Sequence, residues 1–286
     1  MRRVVFNQKG GVGKSTITSN LAAIAAAQGK RVLVIDLDCQ GNTTRYLLGD
    51  AADEEGPGSA EFFAQTLKFS VRETDSGEFI RETPWENLHL MAASPELDEL
   101  HGKLESRYKI YKLRDALQRL DDHYDEIWID TPPALNFYTR SALIAAQGCL
   151  IPFDCDDFSR RALYGLLEAV DEIRADHAPE LSVEGIVVNQ FQARASLPQR
   201  TVQEIQADHA PELHVEGIVV NQFQARASLP QRTVQELIDE GLPVLQPYLS
   251  SSVKIKESHE LSRPMVHLDA RHKLTQEFMA LYESLG

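Results

Sequence analysis

The residues best suited to chemistry stand near the start of the chain, where three glycines lie among two lysines and two hydroxyl side chains. The stretch reads Gln8-Lys9-Gly10-Gly11-Val12-Gly13-Lys14-Ser15-Thr16. Glycines let backbone N–H groups turn inward around phosphate oxygens, because no Cβ atom stands in the way. A lysine at the end of such a loop reaches the β- and γ-phosphates of a nucleotide, and the next hydroxyl binds Mg²⁺. The stretch therefore predicts a triphosphate site, with Lys14 on the phosphates and Ser15 on the metal.

The segments on either side of this loop have the patterns of a strand and a helix. A short apolar run, residues 4–6, precedes the loop, and apolar residues at helical spacing fill residues 17–27. A phosphate-binding loop requires this order of strand, glycine-rich turn and helix, because the helix N-terminus favours anions. One departure is Gln8, which stands where the usual pattern has its first glycine. The agreement of Gly-Lys-Ser with both flanks favours a phosphate loop over a chance glycine turn.

Two other apolar runs end in acidic residues. Residues 31–38 end at Asp38, and residues 125–130 end at Asp130. Continuous apolar runs of this kind are typical of buried parallel strands, and α/β sheets bind ligands at the carboxyl ends of their strands. We therefore expect Asp38 to project toward the γ-phosphate and Asp130 to order Mg²⁺. The alternatives are a turn-forming or helix-capping role for Asp38 and a purely structural role for Asp130.

The glycine-rich loop also resembles a known motif. Lys-Gly-Gly-Val-Gly-Lys-Ser-Thr, with its second lysine at the start, is similar to the deviant Walker A motif of the ParA/MinD family of ATPases. The resemblance implies that ATP and Mg²⁺ are the cofactors, and that Lys9 reaches across an ATP-bound homodimer to the partner's nucleotide. Residues 38–44 resemble the switch I segment of that family, whose aspartate positions the attacking water, although Cys39 replaces the usual proline. Residues 130–133, Asp-Thr-Pro-Pro, resemble its switch II segment.

Motif and resemblance together define a candidate site. Its catalytic residues would be Lys9, Lys14 and Asp38. The nucleotide would be held by Gly10, Gly11, Val12, Gly13, Lys14, Ser15 and Thr16. The metal ligands would be Ser15, Asp38 and Asp130.

The overall composition is that of a globular protein with an excess of acidic residues. Hydrophobic residues make up 43% of the 286, charged residues make up 25%, and the formal net charge is −14. This charge argues against a protein that coats nucleic acids, whose surface is usually basic, but leaves room for a local basic patch. Three cysteines without a CxxC spacing predict a reduced, cytoplasmic setting. We see no signal peptide, and no apolar run approaches the length of a membrane span, about 18 residues.

Strand and helix patterns alternate along most of the chain. Residues 50–60 are acidic and glycine-rich, which indicates a surface excursion. The alternation predicts an α/β fold with a doubly wound, mostly parallel sheet of the P-loop NTPase class. We expect residues 1–286 to form a single domain. Further strands are expected at 87–93, 149–153 and 242–249, and helices within 61–69, 95–121, 136–147 and 273–285.

One segment occurs twice in tandem. Residues 175–206 recur as residues 207–238, and three of the 32 positions differ: Ser182/His214, Ile205/Leu237 and Gln206/Ile238. Two near-identical copies indicate a duplication, natural or introduced, rather than a solenoid. Each copy predicts a strand, at 185–191 or 217–223, followed by a helix that starts near Pro198 or Pro230.

The family resemblance assigns roles to both copies. It implies that the asparagine after the repeated strand, Asn189 or Asn221, contacts adenine, and that Arg194 or Arg226 contacts DNA. Neighbouring strands lie about 4.8 Å apart, so an inserted strand displaces everything beyond it. We therefore expect one copy to occupy the position beside the strand at 149–153, and the other to be extruded or to form an extra edge unit. The sequence does not indicate which copy does so.

The C-terminal part of the chain is balanced in charge. From residue 248 onward there are five Lys/Arg and five Asp/Glu, which is compatible with a local basic face. Val-Lys-Ile-Lys-Glu-Ser at 253–258 resembles the family segment whose basic residue contacts DNA, and this implies a DNA-binding role for Lys254. Solvated lysines on a helix face are the alternative. The closing helix lacks the Lys/Arg-rich face that binds anionic membranes, so we expect no membrane partner.

The combined motifs favour a ParA-like ATPase that partitions or positions DNA or another cellular cargo. We expect Mg²⁺-dependent ATP hydrolysis with weak basal activity, nonspecific DNA binding by the ATP-bound homodimer, and stimulation by a ParB-like or cargo-adaptor protein. The ATP-bound protein would associate with the nucleoid in the cytoplasm. One alternative is a superfamily relative that acts as an assembly or electron-donor ATPase, for which the sequence shows no suitable cysteine pair. The other is a nucleotide-binding remnant impaired by the duplication.

Overall fold

The apolar runs of the sequence form one nine-stranded sheet in the computed structural model. The residues that the structure describes are 1–68, 75–154, 157–189, 218–223, 244–250 and 252–286. The order of the sheet is β3-β4-β2-β5-β1-β6-β7-β8-β9, and all neighbours are parallel except β3 and β4. The mostly parallel, doubly wound α/β sheet predicted from the sequence is confirmed. In chain order the strands are β1 (Arg2–Val5), β2 (Val32–Asp36), β3 (Arg81–Glu82), β4 (Leu88–Met91), β5 (Glu126–Asp130), β6 (Gly148–Asp154), β7 (Ser182–Asn189), β8 (Ile218–Phe223) and β9 (Val244–Ser250).

Helices cover both faces of this sheet. Those that were predicted lie close to the expected positions, but the expected elements do not include β3, α2, α7 or α9. The expected surface excursion at 50–60 is partly structured, because a 3-10 helix (Gly49–Asp53) and the first turn of α3 occupy it. The α-helices are α1 (Lys14–Ala27), α2 (Asn42–Leu48), α3 (Ser59–Thr66), α4 (Glu96–Ser106), α5 (Lys112–Leu120), α6 (Phe137–Ala145), α7 (Asp157–Asp176), α8 (Lys254–Glu260), α9 (Met265–Leu268) and α10 (Lys273–Ser284).

Successive residues of the central strands pack on opposite sides of the sheet. Val4 and Leu33 join a core built with α3, α4, α5 and α6, whereas Val5 and Val34 join a core built with α1 and α10. All four side chains are fully buried. Because both faces are covered, these strands are apolar at every position rather than at every second one. The polar residues Asp36 and Asp130 lie at the carboxyl ends of two of these strands.

Both repeated strands lie inside the sheet. The first-copy strand, β7, pairs with β6, and the second-copy strand, β8, lies between β7 and β9. The expectation that one copy is extruded or forms an edge unit is therefore wrong. The Ile-Val-Val run at 186–188 pairs in parallel register with the identical run at 218–220. An apolar strand left outside would expose unpaired N–H and C=O groups, whereas insertion pairs both of its edges.

A buried ionic network ties the closing helix to the amino-terminal ends of the strands. The Glu126 carboxylate accepts hydrogen bonds from Lys30 Nζ and from the Tyr282 hydroxyl, each at 2.6 Å. Arg3 Nη1 lies 3.6 Å from the same carboxylate, and Arg3 Nε donates to Glu184 at 2.9 Å. Burial alone would raise the pKa of Glu126, but the two donors and the Arg3 charge outweigh it and hold the pKa below its ordinary value of 4.5.

Replacing Glu126 with glutamine should lower the free energy of unfolding by about 3 kcal/mol at neutral pH, because it leaves the buried Arg3 guanidinium with one carboxylate fewer. The folded-state pKa of Glu126 lies below the unfolded value, so its stabilisation is complete above pH 4.5 and is lost as the pH falls through the folded-state pKa. Denaturant unfolding at several pH values measures both effects.

The matched control for this substitution is Asp125→Asn, which breaks an exposed ion pair between Asp125 and Arg31 in the neighbouring position. Exposed pairs contribute little to stability, so this variant should unfold much like the wild type. Equal losses in the two variants would contradict the special role of the buried network. So would a Glu126→Gln loss that did not shrink at acid pH.

Candidate nucleotide-binding site

The loop between β1 and α1 has the backbone of an anion-binding turn. Gly11 and Gly13 have φ angles of 75° and 88°, in the left-handed region that favours glycine. Gly13 also caps α1, which begins at Lys14, so the unpaired N–H groups of the helix start directly behind the loop. A Cβ atom at Gly11 would meet no atom within 4 Å. Glycine is therefore required there by backbone conformation and not by lack of space.

Polar side chains hold this loop against the sheet. Asn7 accepts a hydrogen bond from the N–H of Lys9 at 2.8 Å, and its amide donates to the carbonyl of Pro152 in β6. The Thr131 hydroxyl donates to the carbonyl of Val5 at 2.8 Å. The ends of β1, β5 and β6 therefore fix the position of the loop.

Lys14 lies across the loop and is only 7% exposed. Its Nζ donates a hydrogen bond to the carbonyl of Lys9 at 3.1 Å. Burial lowers the pKa of Lys14, and the charges of Asp130 and Asp38 oppose that shift. The amine therefore stands at the glycine-rich turn with two carboxylates near it, as a phosphate-binding lysine would.

Asp130, at the end of β5, is fully buried beside the loop. Its carboxylate accepts hydrogen bonds from the Thr43 hydroxyl at 2.7 Å and from the N–H of Thr131 at 3.1 Å, and it interacts electrostatically with the nearby Ser15 hydroxyl. Burial raises the pKa of Asp130 to about 6, although these hydroxyls and the Lys14 charge act in the opposite direction. The structure thus places two of the predicted metal ligands, Ser15 and Asp130, close enough to interact.

A second buried carboxylate belongs to Asp36, which sequence reasoning does not identify as a site residue. Asp36 ends β2 and pairs in register with Asp130. It accepts hydrogen bonds from the N–H and the hydroxyl of Thr44, at 2.9 and 2.8 Å, and from the N–H of Asp38 at 3.1 Å. Burial, followed by the Asp130 charge, raises the pKa of Asp36 to about 8. The sequence signal is its place at the end of an apolar run, but its register with Asp130 is visible only in the sheet.

These oxygen atoms suit a divalent cation. Asp36 and Asp130 are adjacent buried carboxylates, and burial raises the pKa of both. The surrounding groups therefore do not fully offset the cost of burying these two negative charges. Mg²⁺ prefers oxygen ligands and commonly combines one or two carboxylates with phosphates and waters. The described ranges contain no group of three His, Cys, Asp or Glu side chains arranged for a metal. A cation bound by Ser15 and Asp130 would therefore complete its shell from nucleotide and water.

A cavity of about 480 Å³ opens above the loop. It gathers most of the predicted phosphate-binding residues with Asp38, and it adds residues of α2 and α8 that the sequence does not indicate. Asp38 also accepts the N–H of Gln40 at 3.1 Å, so it stabilises its own turn as well as facing the cavity. Val12 is 2% exposed and packs in the core next to the loop. The lining consists of Gly10, Gly11, Gly13, Lys14, Ser15, Thr16, Asp38, Gln40, Asn42, Arg45, Tyr46, Pro133, His259 and Ser262.

Helix α8 forms one wall of this cavity. His259 Nε2 lies 2.9 Å from the Thr16 hydroxyl, and the imidazole stacks on the Tyr46 ring with 4.3 Å between centroids. The Tyr46 hydroxyl contacts the Ser258 hydroxyl behind the stack. Thr16 and His259 are 243 residues apart in the chain. No local pattern could have indicated this contact.

The residues assigned to adenine and DNA in the duplicated segment are described only in part. Asn189 ends β7, and Asn221 lies in β8, so the two asparagines belong to neighbouring strands. Arg194 and Arg226 lie outside the described residues, as do the two helices expected to follow the repeated strands.

Lys254 is the first residue of α8, where its Nζ pairs with Glu257 at 2.9 Å. The same helix supplies the cavity wall at its other end, so α8 joins the predicted DNA-binding lysine to the candidate nucleotide site. Among the helices that can be described, we find none with both the length and the apolar character needed to traverse a bilayer.

Comparisons with known proteins agree with this site. A family model described as an AAA domain matches residues 3–183. The chromosome-partitioning ATPase Soj of Thermus thermophilus is 36% identical over 203 residues, which cover 70% of this chain and 74% of that protein. The chromosome partitioning protein ParA of Myxococcus xanthus is 33% identical over 199 residues, covering 69% and 68%. Cobyrinic acid a,c-diamide synthase from Mycobacterium smegmatis, solved with a bound ATP analog and magnesium, has the same fold, with a TM-score of 0.73 at 22% identity over 99% of this chain and 92% of that one.

The region matched by the family model contains the glycine-rich loop, Asp38 and Asp130. The identity to Soj and ParA extends over more than two thirds of both chains in each pair. With the parallel sheet, these comparisons confirm the resemblance noted in the sequence. The chain belongs to the ParA/MinD family of P-loop ATPases.

Proposed function

We propose that this protein is a ParA-like ATPase in which Mg-ATP drives two copies to pair and bind DNA, and in which hydrolysis separates them again. The observation that carries the proposal is the glycine-rich loop crossed by Lys14, with the carboxylates of Asp38 and Asp130 close enough to act on the Lys14 charge. The loop glycines, the Lys14 amine and the Asp38 carboxylate line one cavity, and Asp130 lies buried beside it, which is the set of groups that a magnesium–triphosphate group requires. The Soj and ParA relatives are named for chromosome partitioning, which supports DNA as the cargo or the track.

Each residue of the candidate site would have its own role in binding or hydrolysis. The loop N–H groups and Lys14 would bind the phosphates, and Ser15, Asp38 and Asp130 would hold the metal or the waters around it. Bound Mg²⁺ would supply positive charge where negative charge develops on the phosphates. Asp38 lines the cavity and interacts electrostatically with Lys14, which supports a role for Asp38 in orienting the attacking water. Phosphoryl transfer depends chiefly on such positioning, and we expect slow basal turnover.

Pairing of two copies would depend on Lys9. Asn7 fixes the backbone of Lys9, and the Lys9 carbonyl in turn holds Lys14. The Lys9 side chain is partly exposed and is not part of the lining of its own cavity. This position supports a contact of Lys9 with the nucleotide of a second copy, which would make the bound nucleotide the condition for a homodimer.

The partners would be nonspecific DNA and a stimulating protein of the ParB-like or cargo-adaptor kind. ATP-bound dimers would collect on the nucleoid, and the stimulating protein would release them by accelerating hydrolysis. Adenine would be contacted by Asn189 or Asn221, and DNA by Lys254 together with Arg194 or Arg226. The cycle therefore uses one bound nucleotide to control both pairing and location.

The cysteines favour this function over an electron-donor ATPase. Cys149 is fully buried in β6, and burial raises the pKa of its thiol. A buried thiol with a raised pKa is a poor thiolate ligand for an iron–sulfur cluster. Cys39 is partly exposed, and Cys155 lies outside the described residues.

DNA binding should require ATP and should weaken steeply as salt is added, because phosphate contacts release counterions. Replacing Lys254 with glutamine should lower the slope of log affinity against log salt by about 1. The measurement is the anisotropy of a labelled duplex with Mg²⁺ and a non-hydrolysable ATP analogue, from about 50 to about 200 mM salt. Lys103→Gln, an equal charge change at an exposed position of α4, is the matched control.

The two variants test whether Lys254 contacts DNA, and the nucleotide dependence tests whether ATP controls DNA binding. An unchanged slope in Lys254→Gln would remove Lys254 from the DNA surface. An equal change in Lys103→Gln would show that the effect comes from net charge alone. DNA binding that is the same with and without the ATP analogue would overturn the proposed coupling of nucleotide to DNA.

A further inference from the structure

His259 is a titratable residue on the cavity wall, and it is not among the groups proposed to bind the phosphates or the metal. Its imidazole is exposed along the cavity, and its Nε2 lies 2.9 Å from the Thr16 hydroxyl. Thr16 is in the first turn of α1, next to Ser15, where the helix N-terminus favours anions. His259 and the glycine-rich loop therefore line the same cavity at the start of α1.

The imidazole is held in place from behind. It stacks on Tyr46, which is 2% exposed, at 4.3 Å and with an angle of 24° between the rings. The Tyr46 hydroxyl contacts the Ser258 hydroxyl and accepts a hydrogen bond from the Asn20 amide at 3.2 Å. This buried polar group joins α1, α2 and α8. His259 thus has a fixed ring and a polar edge that faces a cavity built for anions.

We propose that His259 is a further nucleotide-contacting residue, and that its imidazolium form donates a hydrogen bond from Nε2 to the phosphate chain in place of its contact with Thr16. The inference rests on the proposed function, since it requires a nucleoside phosphate in this cavity. The proton is taken from solvent and is returned when the nucleotide leaves, so no covalent bond to the protein forms or breaks.

The environment of the imidazole ring explains why His259 takes up a proton when the nucleotide binds. The charged or titratable groups facing it across the cavity are Lys14 from the loop, Asp38 and, on α2, Arg45 and Tyr46. Partial burial lowers the pKa of His259, because burial disfavours the charged imidazolium. Bound phosphates reverse this balance, because their negative charge favours the charged form.

On α8 itself Lys254 and Glu257 pair with each other, and the other charges are Lys256 and Glu260, which carry opposite signs and are both exposed. Arg263 follows the helix and is also exposed. These groups are the same with and without nucleotide. A change in the charge state of His259 therefore results from binding of the phosphates.

The expected pH dependence follows from this difference. The pKa of His259 is higher in the complex than in the nucleotide-free protein, so affinity rises as the pH falls through the pKa of the complex and stops rising below the pKa of the free protein. Each unit of difference between the two values strengthens binding tenfold. Titration of the nucleotide's own phosphates adds an equal pH dependence to every variant, so the comparison between variants isolates the imidazole.

The test measures binding of a non-hydrolysable ATP analogue with Mg²⁺ between pH 8 and pH 5, the range in which histidine titrates. Wild type should gain about tenfold more affinity over this range than His259→Gln, which keeps a polar contact to Thr16 but cannot become charged. Calorimetry in buffers of different ionisation enthalpy should show proton uptake that the variant lacks. His259→Lys should bind well at pH 8 with no extra gain at low pH, which a merely structural role would not produce.

His267→Gln is the matched control. His267 also has a pKa lowered by burial and stacks on Trp85 at 4.4 Å, but it is not among the cavity-lining residues. It should behave as wild type. If wild type binds the analogue while His259→Gln keeps the full pH dependence and proton uptake, or His267→Gln loses them equally, the inference fails and the proposed function stands. If wild type binds no analogue at any pH, both fail.

Discussion

Replacing Lys14 with alanine should weaken binding of Mg²⁺ and a non-hydrolysable ATP analogue by about thirtyfold or more. Lys14 is 7% exposed, and its Nζ lies across the glycine-rich loop at hydrogen-bond distance from the Lys9 carbonyl. Removing one partner of a buried charge pair costs about 2–5 kcal/mol, and about 1.4 kcal/mol corresponds to a factor of ten. No other amine in the described part of the cavity lining could replace it.

The size of this effect depends on the carboxylates around Lys14. Asp130 and Asp38 favour its charged form, so without it a triphosphate would meet their negative charge with less compensation. Equilibrium binding measures the loss, and thermal unfolding of the nucleotide-free variant shows whether the fold is intact. Lys103→Ala, at an exposed position of α4, should bind as wild type does. An affinity of Lys14→Ala within a few-fold of wild type would mean that the phosphates bind elsewhere.

The second large effect is expected at Asp38. Asp38→Asn should slow ATP hydrolysis by about a hundredfold to a thousandfold, which is the range for removing one positioned group that acts in the transition state. Asparagine keeps an oxygen that can accept the N–H of Gln40, so the turn formed by Asp38 should persist. Ser15 and Asp130 are unchanged, and nucleotide affinity should stay within several-fold of wild type.

Phosphate release and equilibrium binding, measured on the same protein, distinguish the two roles considered for Asp38. Loss of turnover with retained affinity fits a residue that orients the attacking water. A parallel loss of affinity would instead make Asp38 a ligand of the metal. Gln40→Ala, an uncharged change in the same cavity lining, is the matched control and should lower turnover less than tenfold. Turnover of Asp38→Asn close to that of wild type would contradict both roles.

Much of the site follows from the sequence because the phosphate loop is local. β1, the glycines and α1 are contiguous, and the left-handed φ angles of Gly11 and Gly13 need no distant partner. Asp130 could be found because an apolar strand that ends in an acid, in a chain with such a loop, is typical of a carboxylate that orders Mg²⁺. The placement of both at the carboxyl edge follows from the rule that parallel α/β sheets bind ligands there.

The parts that could not be predicted depend on contacts between distant segments. Asp36 becomes a site residue only through its register with Asp130 across two strands. His259 reaches Thr16 from the far end of the chain, and nothing in the composition of α8 indicates that approach. Residue type and local spacing carry no information about either contact.

The duplicated segment shows the same limit in a different way. Sequence comparison finds the two copies at once, but whether a second apolar strand is extruded or inserted depends on the edges available to it. Insertion places β8 between β7 and β9 and leaves each of its edges paired. An extruded strand would leave an unpaired apolar edge, whereas insertion only moves β9 one strand further out. Which arrangement forms therefore depends on the whole sheet and not on the local sequence.

The most direct test of the account is the molecular mass of the Asp38→Asn protein in sedimentation, with and without Mg-ATP. This variant should hold ATP without consuming it. We predict a mass near 32.1 kDa without nucleotide and twice that value with Mg-ATP, and no such doubling when Lys9→Ala is added. A mass that is the same with and without Mg-ATP, or pairing that survives the loss of Lys9, would contradict the claim that the occupied cavity controls the joining of two copies.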